Sequence, residues 1–220
     1  MTPRASFALF VVGLLAGCAS SVEVETPTIP VPLVEQIPVS IGLRMPANFQ
    51  HFVHEESIYG REEWRIDLGD SHAAFFKQLF GHLFTSVAIL SEDDDPKTMG
   101  LDALIEPSID AFEFSTPGQS KTSAFAVWIR YRLKVYDRDG KLVSNWPVSA
   151  YGKAGTAGTR SSAALRHAAL LAMRDAAALM VMKFDKVTRI SELAEEPADR
   201  PIPVPAEEPA APEVIENEPS

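Results

Sequence analysis

Few residues in this 220-residue chain could do chemistry, and their spacing narrows what that chemistry is. There is one cysteine, Cys18, so no intrachain disulfide is available. The five histidines are His51, His54, His72, His82 and His167. His51 and His54, followed by Glu55 and Glu56, come nearest to a cluster of metal ligands. On an extended strand, however, a spacing of three sends two side chains to opposite faces. His72 and His82 are ten residues apart, about 80° around a helix, and do not converge. Asp93, Asp94 and Asp95 are adjacent, whereas a calcium loop alternates its oxygens and needs a glycine and a distant glutamate. They read as a solvated acidic loop. Gly152, Gly155 and Gly158 precede a helical stretch, but at intervals of three, unlike G-x-G-x-x-G or the P-loop. They read as a flexible connection. No G-x-S-x-G occurs. The sequence therefore assigns no catalytic residue, no metal and no cofactor.

Cys18 ends a segment of its own. Arg4 gives a positive start, Ala5 to Leu15 make an uncharged apolar run of 11 residues, and small residues lead to the cysteine. As a helix the run would be about 16 Å long, about half the hydrocarbon thickness of a bilayer. It is an export signal and not a membrane span. The tetrad Leu15-Ala16-Gly17-Cys18 resembles the lipobox of bacterial lipoprotein signals. In that family the chain is cut before the cysteine, which then carries a thioether-linked diacylglycerol and an amide-linked acyl chain. The resemblance implies a signal peptide at 1–17, lipidation of Cys18 and a stable membrane anchor, since two or more chains hold where one does not. Ala19 at the following position is compatible, by the same resemblance, with the periplasmic face of the outer membrane. The alternative is an ordinary secretory signal that ends beside a cysteine.

Charge divides the rest. The chain has a net charge of −10. Residues 48–190 hold 17 Lys and Arg against 18 Asp and Glu, whereas residues 191–220 hold one Arg against nine acids. Acidity belongs to the tail, and nucleic acid is excluded as a partner because its binders need a basic footprint. Proline fixes φ and lacks a donor, so residues 191–220 read as a disordered, acidic, Pro-rich tail. Residues 18–47 contain Pro27, Pro30, Pro32, Pro38 and Pro46 and read as a semi-rigid tether, with Val39 to Leu43 as a candidate first strand. At ~3 Å per residue such a tether would lift a domain several tens of ångströms from the membrane.

Residues 48–190 are long enough for one domain with its own core. Phe49 to Val53 and Trp64 to Leu68 read as strands. A helix capped by Asp70 or Ser71 follows, with Phe75, Phe76, Leu79, Phe80, Leu83, Phe84 and Val87 as its apolar stripe. Residues 103–114 and 124–137 alternate as strands around Pro117-Gly118. Folding them together pairs odd with odd and even with even. Glu106, Ser108 and Asp110 then fall opposite or diagonal to Arg130, Arg132 and Lys134. Asp137 to Lys141 is a hairpin turn, Leu142 to Ala154 the return strand, and Pro147 within it marks a bulge or an edge. A long helix capped by Ser161 or Ser162 reaches about Lys186.

This order predicts an α+β fold: a two-layer sandwich with a mostly antiparallel sheet of about four strands and two helices on one face. The outer face of the second strand carries Trp128, Arg130, Arg132, Lys134 and Tyr136, the candidate partner surface. The element order after an acylatable cysteine resembles small outer-membrane lipoproteins, among them the lipopolysaccharide-assembly lipoproteins. The resemblance covers the lipobox and the topology of residues 37–186. It implies a non-enzymatic accessory or assembly subunit, held to the membrane through Cys18, with a protein partner in the cell envelope. The alternative is a periplasmic lipoprotein that binds a lipid or small apolar ligand between helices and sheet, lined by the Phe75 to Phe84 stripe.

Overall fold

The computed structural model describes residues 18–194; residues 1–17, read as an export signal, and residues 195–220, within the stretch read as an acidic tail, lie outside the described residues. Among the described residues the chain is α+β, with eight strands in two sheets and four α-helices, one of them the single turn α3 (Pro117–Ser120) between β6 and β7. The expected single, mostly antiparallel sheet of about four strands is replaced by two mixed sheets of three and five. A small sheet has the order β1-β4-β3, from β1 (Cys18–Glu23), β4 (Glu62–Asp67) and β3 (Val53–Ile58). A larger one has the order β5-β2-β6-β7-β8, from β5 (Phe84–Leu90), β2 (Ile37–Arg44), β6 (Ala103–Ser115), β7 (Ala124–Asp137) and β8 (Leu142–Gly155).

Two strands come from the stretch read as a tether. β1 pairs in parallel with β4, and β2 pairs in parallel with both β5 and β6. Parallel neighbours need a long crossover, and the chain between β2 and β5 supplies one, carrying α2 (Gly69–Leu83). The prolines fall mostly outside the two strands; Pro38 near the start of β2 sits at a register shift between Ile37 and Ser40. Phe49 begins no strand: Pro46 opens the one-turn helix α1 (Ala47–Gln50), and the strand starts only at Val53. α2 starts at Gly69, whose N–H donates to Asp67 Oδ1 at 3.2 Å, while Ser71 bonds back to the Leu68 carbonyl. Neither Asp70 nor Ser71 is its cap. The helix stops at Leu83, and Phe84 and Val87 of the expected stripe belong to β5.

β6 and β7 pair as expected up to one point. Glu106 faces Lys134, and Ser108 faces Arg132. At Asp110 the ladder has a bulge, after which Phe112 faces Ile129 and Phe114 faces Val127. The extra residue flips parity, so both phenylalanines turn inward and Ala111 turns outward. β8 is an edge strand, which accommodates the exposed Pro147. It continues to Gly155, through what had read as a loop.

The inner face of the large sheet is covered by α2, by α4 (Ser161–Thr188) and by the small sheet. Tyr131 of β7 meets His72, Phe75 and Phe76 of α2. Trp64 of β4 meets Phe114 and Phe125. α4 is capped by backbone alone at Arg160, without a serine cap, and its Ala168, Ala172 and Ala176 are fully buried. It lies so close to β8 that a Cβ on Gly152 would sit 2.0 Å from the Ala168 carbonyl oxygen.

Candidate partner site on the outer sheet face

Among the described residues no helix covers the outer face of β6, β7 and β8. Trp128 is 43% exposed, and so is Tyr151, its cross-strand neighbour on β8; their ring centroids are 5.1 Å apart. Beside them the bulge opens a hollow of about 220 Å³, lined by Glu113, Trp128, Arg130 and Ser149. Arg130 is exposed at its rim. The exposed ring pair offers apolar area at low entropy cost, and the arginine beside it offers directional donors.

The other expected residues are engaged within the face. Arg132 Nε donates to both carboxylate oxygens of Asp110, at 3.1 and 2.8 Å, and its Nη1 donates to Asn145 Oδ1 at 3.1 Å. The hydrogen bond that Arg132 donates to Asp110 holds the guanidinium pKa above its ordinary value. Lys134 is half-buried opposite Glu106, which accepts from Arg44 Nη1 at 3.2 Å. Tyr136 is half-buried against a second apolar cluster of Leu90, Leu101 and Leu104, and burial, followed by Glu106, raises its phenol pKa. Trp128 and Tyr136 are eight residues apart, about 27 Å along a strand. The structure thus brings Trp128, Arg130, Glu113 and Tyr151 together and leaves Tyr136 at the far end, beside the 91–102 loop. Tyr151 and Glu113 escape sequence reading because each owes its place to a register shift: at Asp110 in β6, and between Val135 and Tyr136 at the start of the β7–β8 pairing.

The histidines do not gather. His51 and His82 are not in the core, His54 bonds Glu56 at 3.1 Å, and His72 is fully buried. Among the described residues no three His, Cys, Asp or Glu side chains lie where they could share a metal ion. His72 Nε2 and Tyr131 OH are 2.9 Å apart, and His72 Nδ1 is buried without a partner among the described residues. Burial lowers the His72 pKa to about 3 and raises that of Tyr131, so the pair is neutral. The Phe75 to Phe84 stripe is likewise core: Phe76 packs on Phe49 and Phe80, and Phe80 and Phe84 both pack on Phe184 of α4. An apolar groove lies elsewhere, about 500 Å³ between residues 28–32 and α4.

No protein-family model matches the chain, and no curated protein matches it. Solved structures do. The chain is similar to a minor lipoprotein from Acinetobacter baumannii, at 9% identity over 69% of this chain and 94% of that one, with a TM-score of 0.43. It is similar to a hypothetical protein from Chlamydia trachomatis, at 8% identity over 68% of this chain and 98% of that one, with a TM-score of 0.38. It is also similar to a lipoprotein from Neisseria meningitidis, at 14% identity over 57% of this chain and 90% of that one, with a TM-score of 0.29. Among the described residues no helix is long and apolar enough to cross a membrane.

Proposed function

We propose that this chain is a lipid-anchored bacterial envelope protein, held through Cys18 on the periplasmic face of the outer membrane, that serves without catalysis as an accessory or assembly subunit. The Leu15 to Cys18 tetrad supports the anchor. The observation that carries the subunit role is the Trp128–Tyr151 pair, exposed beside Arg130 on a sheet face that no described helix covers. Aromatic residues and arginine are the usual anchors of protein interfaces.

The test is capture from detergent-solubilised envelopes. Wild type is expected to co-purify a protein that the Trp128→Ala/Arg130→Ala variant loses, while both incorporate radiolabelled palmitate and Cys18→Ser does not. Unchanged co-purifying proteins would remove the subunit reading. Palmitate absent from wild type would remove the anchor.

A second reading has its own observation. The groove of about 500 Å³ is lined by Ile29, Pro30, Val31, Pro32, Val181 and Met182, with Arg174 at its edge. It suits an acyl chain or another small apolar ligand, on the outer side of α4 and not between helices and sheet. Lipid extracted with wild type and lost from Val181→Asp would favour it.

A further inference from the structure

If Cys18 carries the lipid, as proposed above, the fold dictates how the domain stands on the membrane. β1 begins at Cys18 itself, and its register with β4 runs from Cys18 opposite Glu62 to Glu23 opposite Asp67. No slack separates the modified residue from the folded sheet. The anchor is pinned beside the β3–β4 turn, Tyr59-Gly60-Arg61, where Tyr59 is 76% exposed.

Two more loops share this end. Trp64, two residues into β4 from Glu62, packs on Phe114 near the end of β6 and on Phe125 near the start of β7, so the turn lies toward the β6–β7 loop. Thr156 donates its backbone N–H to the Ser123 carbonyl at 2.9 Å, which joins the β8–α4 loop to the same end. In residues 59–61, 116–123 and 156–160 the charged side chains are Arg61, Lys121 and Arg160, with no acid among them. All three are exposed. The nearest acid in sequence is Glu62, the exposed first residue of β4 opposite Cys18, which accepts from Trp64 Nε1. The opposite end of the large sheet lies about 40 Å away along β6. Its loops, 91–102 and 138–141, hold six acids and three bases, and Glu92 to Asp95 are all exposed.

We propose that the end formed by Tyr59, Arg61, Lys121 and Arg160 is a lipid-facing surface that rests on anionic phospholipid headgroups around the anchor, and that the acidic end points away from the bilayer. Cations are drawn to an anionic leaflet, and a tyrosine ring suits the water–hydrocarbon boundary. The proposal makes the Pro-rich stretch after Cys18 a part of the folded body, so the domain stands on the surface and does not hang above it.

The experiment uses the acylated mature protein in vesicles of phosphatidylethanolamine and phosphatidylglycerol. Acylation consumes the Cys18 thiol, so Tyr59→Cys or Asp94→Cys carries the single free thiol for an environment-sensitive fluorophore. The label at 59 should be quenched at least fivefold more than the label at 94 by lipids brominated near the headgroup. Equal quenching, or the reverse order, overturns the orientation. Adding Lys121→Glu and Arg160→Glu should reduce quenching at 59 severalfold in these vesicles and leave it unchanged in purely zwitterionic ones; no change in the anionic vesicles overturns the headgroup contact. Circular dichroism matching wild type keeps the variants comparable. Mass spectrometry of the purified protein separates the two ideas: a free thiol at Cys18 removes the anchor and this proposal together, whereas an acylated Cys18 with the wrong end quenched removes this proposal alone.

Discussion

The two faces of β7 are built from alternate residues of one strand, yet they obey different rules. Inward, Tyr131, Leu133 and Val135 are wholly buried in the core that α2 and α4 help to cover. Outward, Trp128 and Arg130 stand in water, and Arg132 trades hydrogen bonds with Asp110 and Asn145. On the inner face Tyr131 packs on His72, Phe75 and Phe76 at once, and its hydrogen bond with His72 is fully buried. On the outer face contacts are pairwise and solvated, so each is individually weak and replaceable. The fold therefore depends on the inner face, and the outer face is free to bind. The predictions below are ways to break that division, from the largest effect to the smallest.

Gly152 is the sharpest test of the inner face. A Cβ there would sit 2.0 Å from the Ala168 carbonyl oxygen and 2.4 Å from the Ala172 nitrogen. Both atoms are helix backbone, so no rotamer change relieves the clash and α4 must lift off the sheet. Gly152→Val should cost about 3 kcal/mol or more in urea unfolding, at the upper end of overpacking losses. Gly155→Ala is the control: its Cβ would lie 3.7 Å from the Ser123 carbonyl oxygen, an ordinary contact. Its unfolding midpoint should barely move. Equal losses at the two positions would mean that α4 is not seated on Gly152.

The His72–Tyr131 pair makes the inner face sensitive to acid. The ring of His72 protonates at an ordinary 6.5 when exposed but at about 3 when folded, because burial penalises the cation. Between those values the unfolded chain holds more protons. Stability present above about pH 6.5 is therefore lost as pH falls, by about 1.4 kcal/mol per unit from this group. Tyr131→Phe alone should cost about 1–3 kcal/mol, since it leaves both ring nitrogens without partners. His72→Phe/Tyr131→Phe should be milder than Tyr131→Phe and should remove this share of the slope. The check is urea unfolding at several pH values from 7 to 4. A double variant as acid-sensitive as wild type would show that His72 is not held neutral.

Much of the inner face was legible before the structure. The alternation of β7 and the stripe of α2 are local periodicities, and both survive as core. So does the pairing of Glu106 with Lys134 and Ser108 with Arg132, which follows from strand parity. What escaped depends on partners far along the chain or on a single extra residue. β1 hides in a Pro-rich stretch because a parallel strand needs a distant neighbour, not a local pattern; β2 is the strand read at Val39 to Leu43, and only its parallel partners are hidden. An even count that runs straight through Asp110 would place Phe112 and Phe114 on the outer face with Glu106 and Ser108. The two phenylalanines are large and apolar at even positions, whereas Ala111 is small at an odd one. That reversal of size was the available sign of a bulge. The outer site suffered most. Trp128 and Arg130 could be placed from β7 alone, but Glu113 and Tyr151 join them only through two register shifts.

Trp128 is the smallest expected effect on stability, and for that reason it decides what the outer face is for. Its ring is nearly half in water and touches chiefly another exposed ring, Tyr151. An aromatic pair of this kind is worth about 0.5–1.5 kcal/mol even when well packed. Trp128→Ala should therefore cost no more than about 1 kcal/mol in urea unfolding, and a cycle with Tyr151→Ala should assign most of that to their coupling. In the proposed subunit role, a tryptophan kept in water for so little stability is apolar area for a partner to cover, and the adjacent hollow is where that partner would insert. Should Trp128→Ala unfold as readily as Gly152→Val, the outer face would be part of the scaffold, and the division between a face that folds and a face that binds would fail.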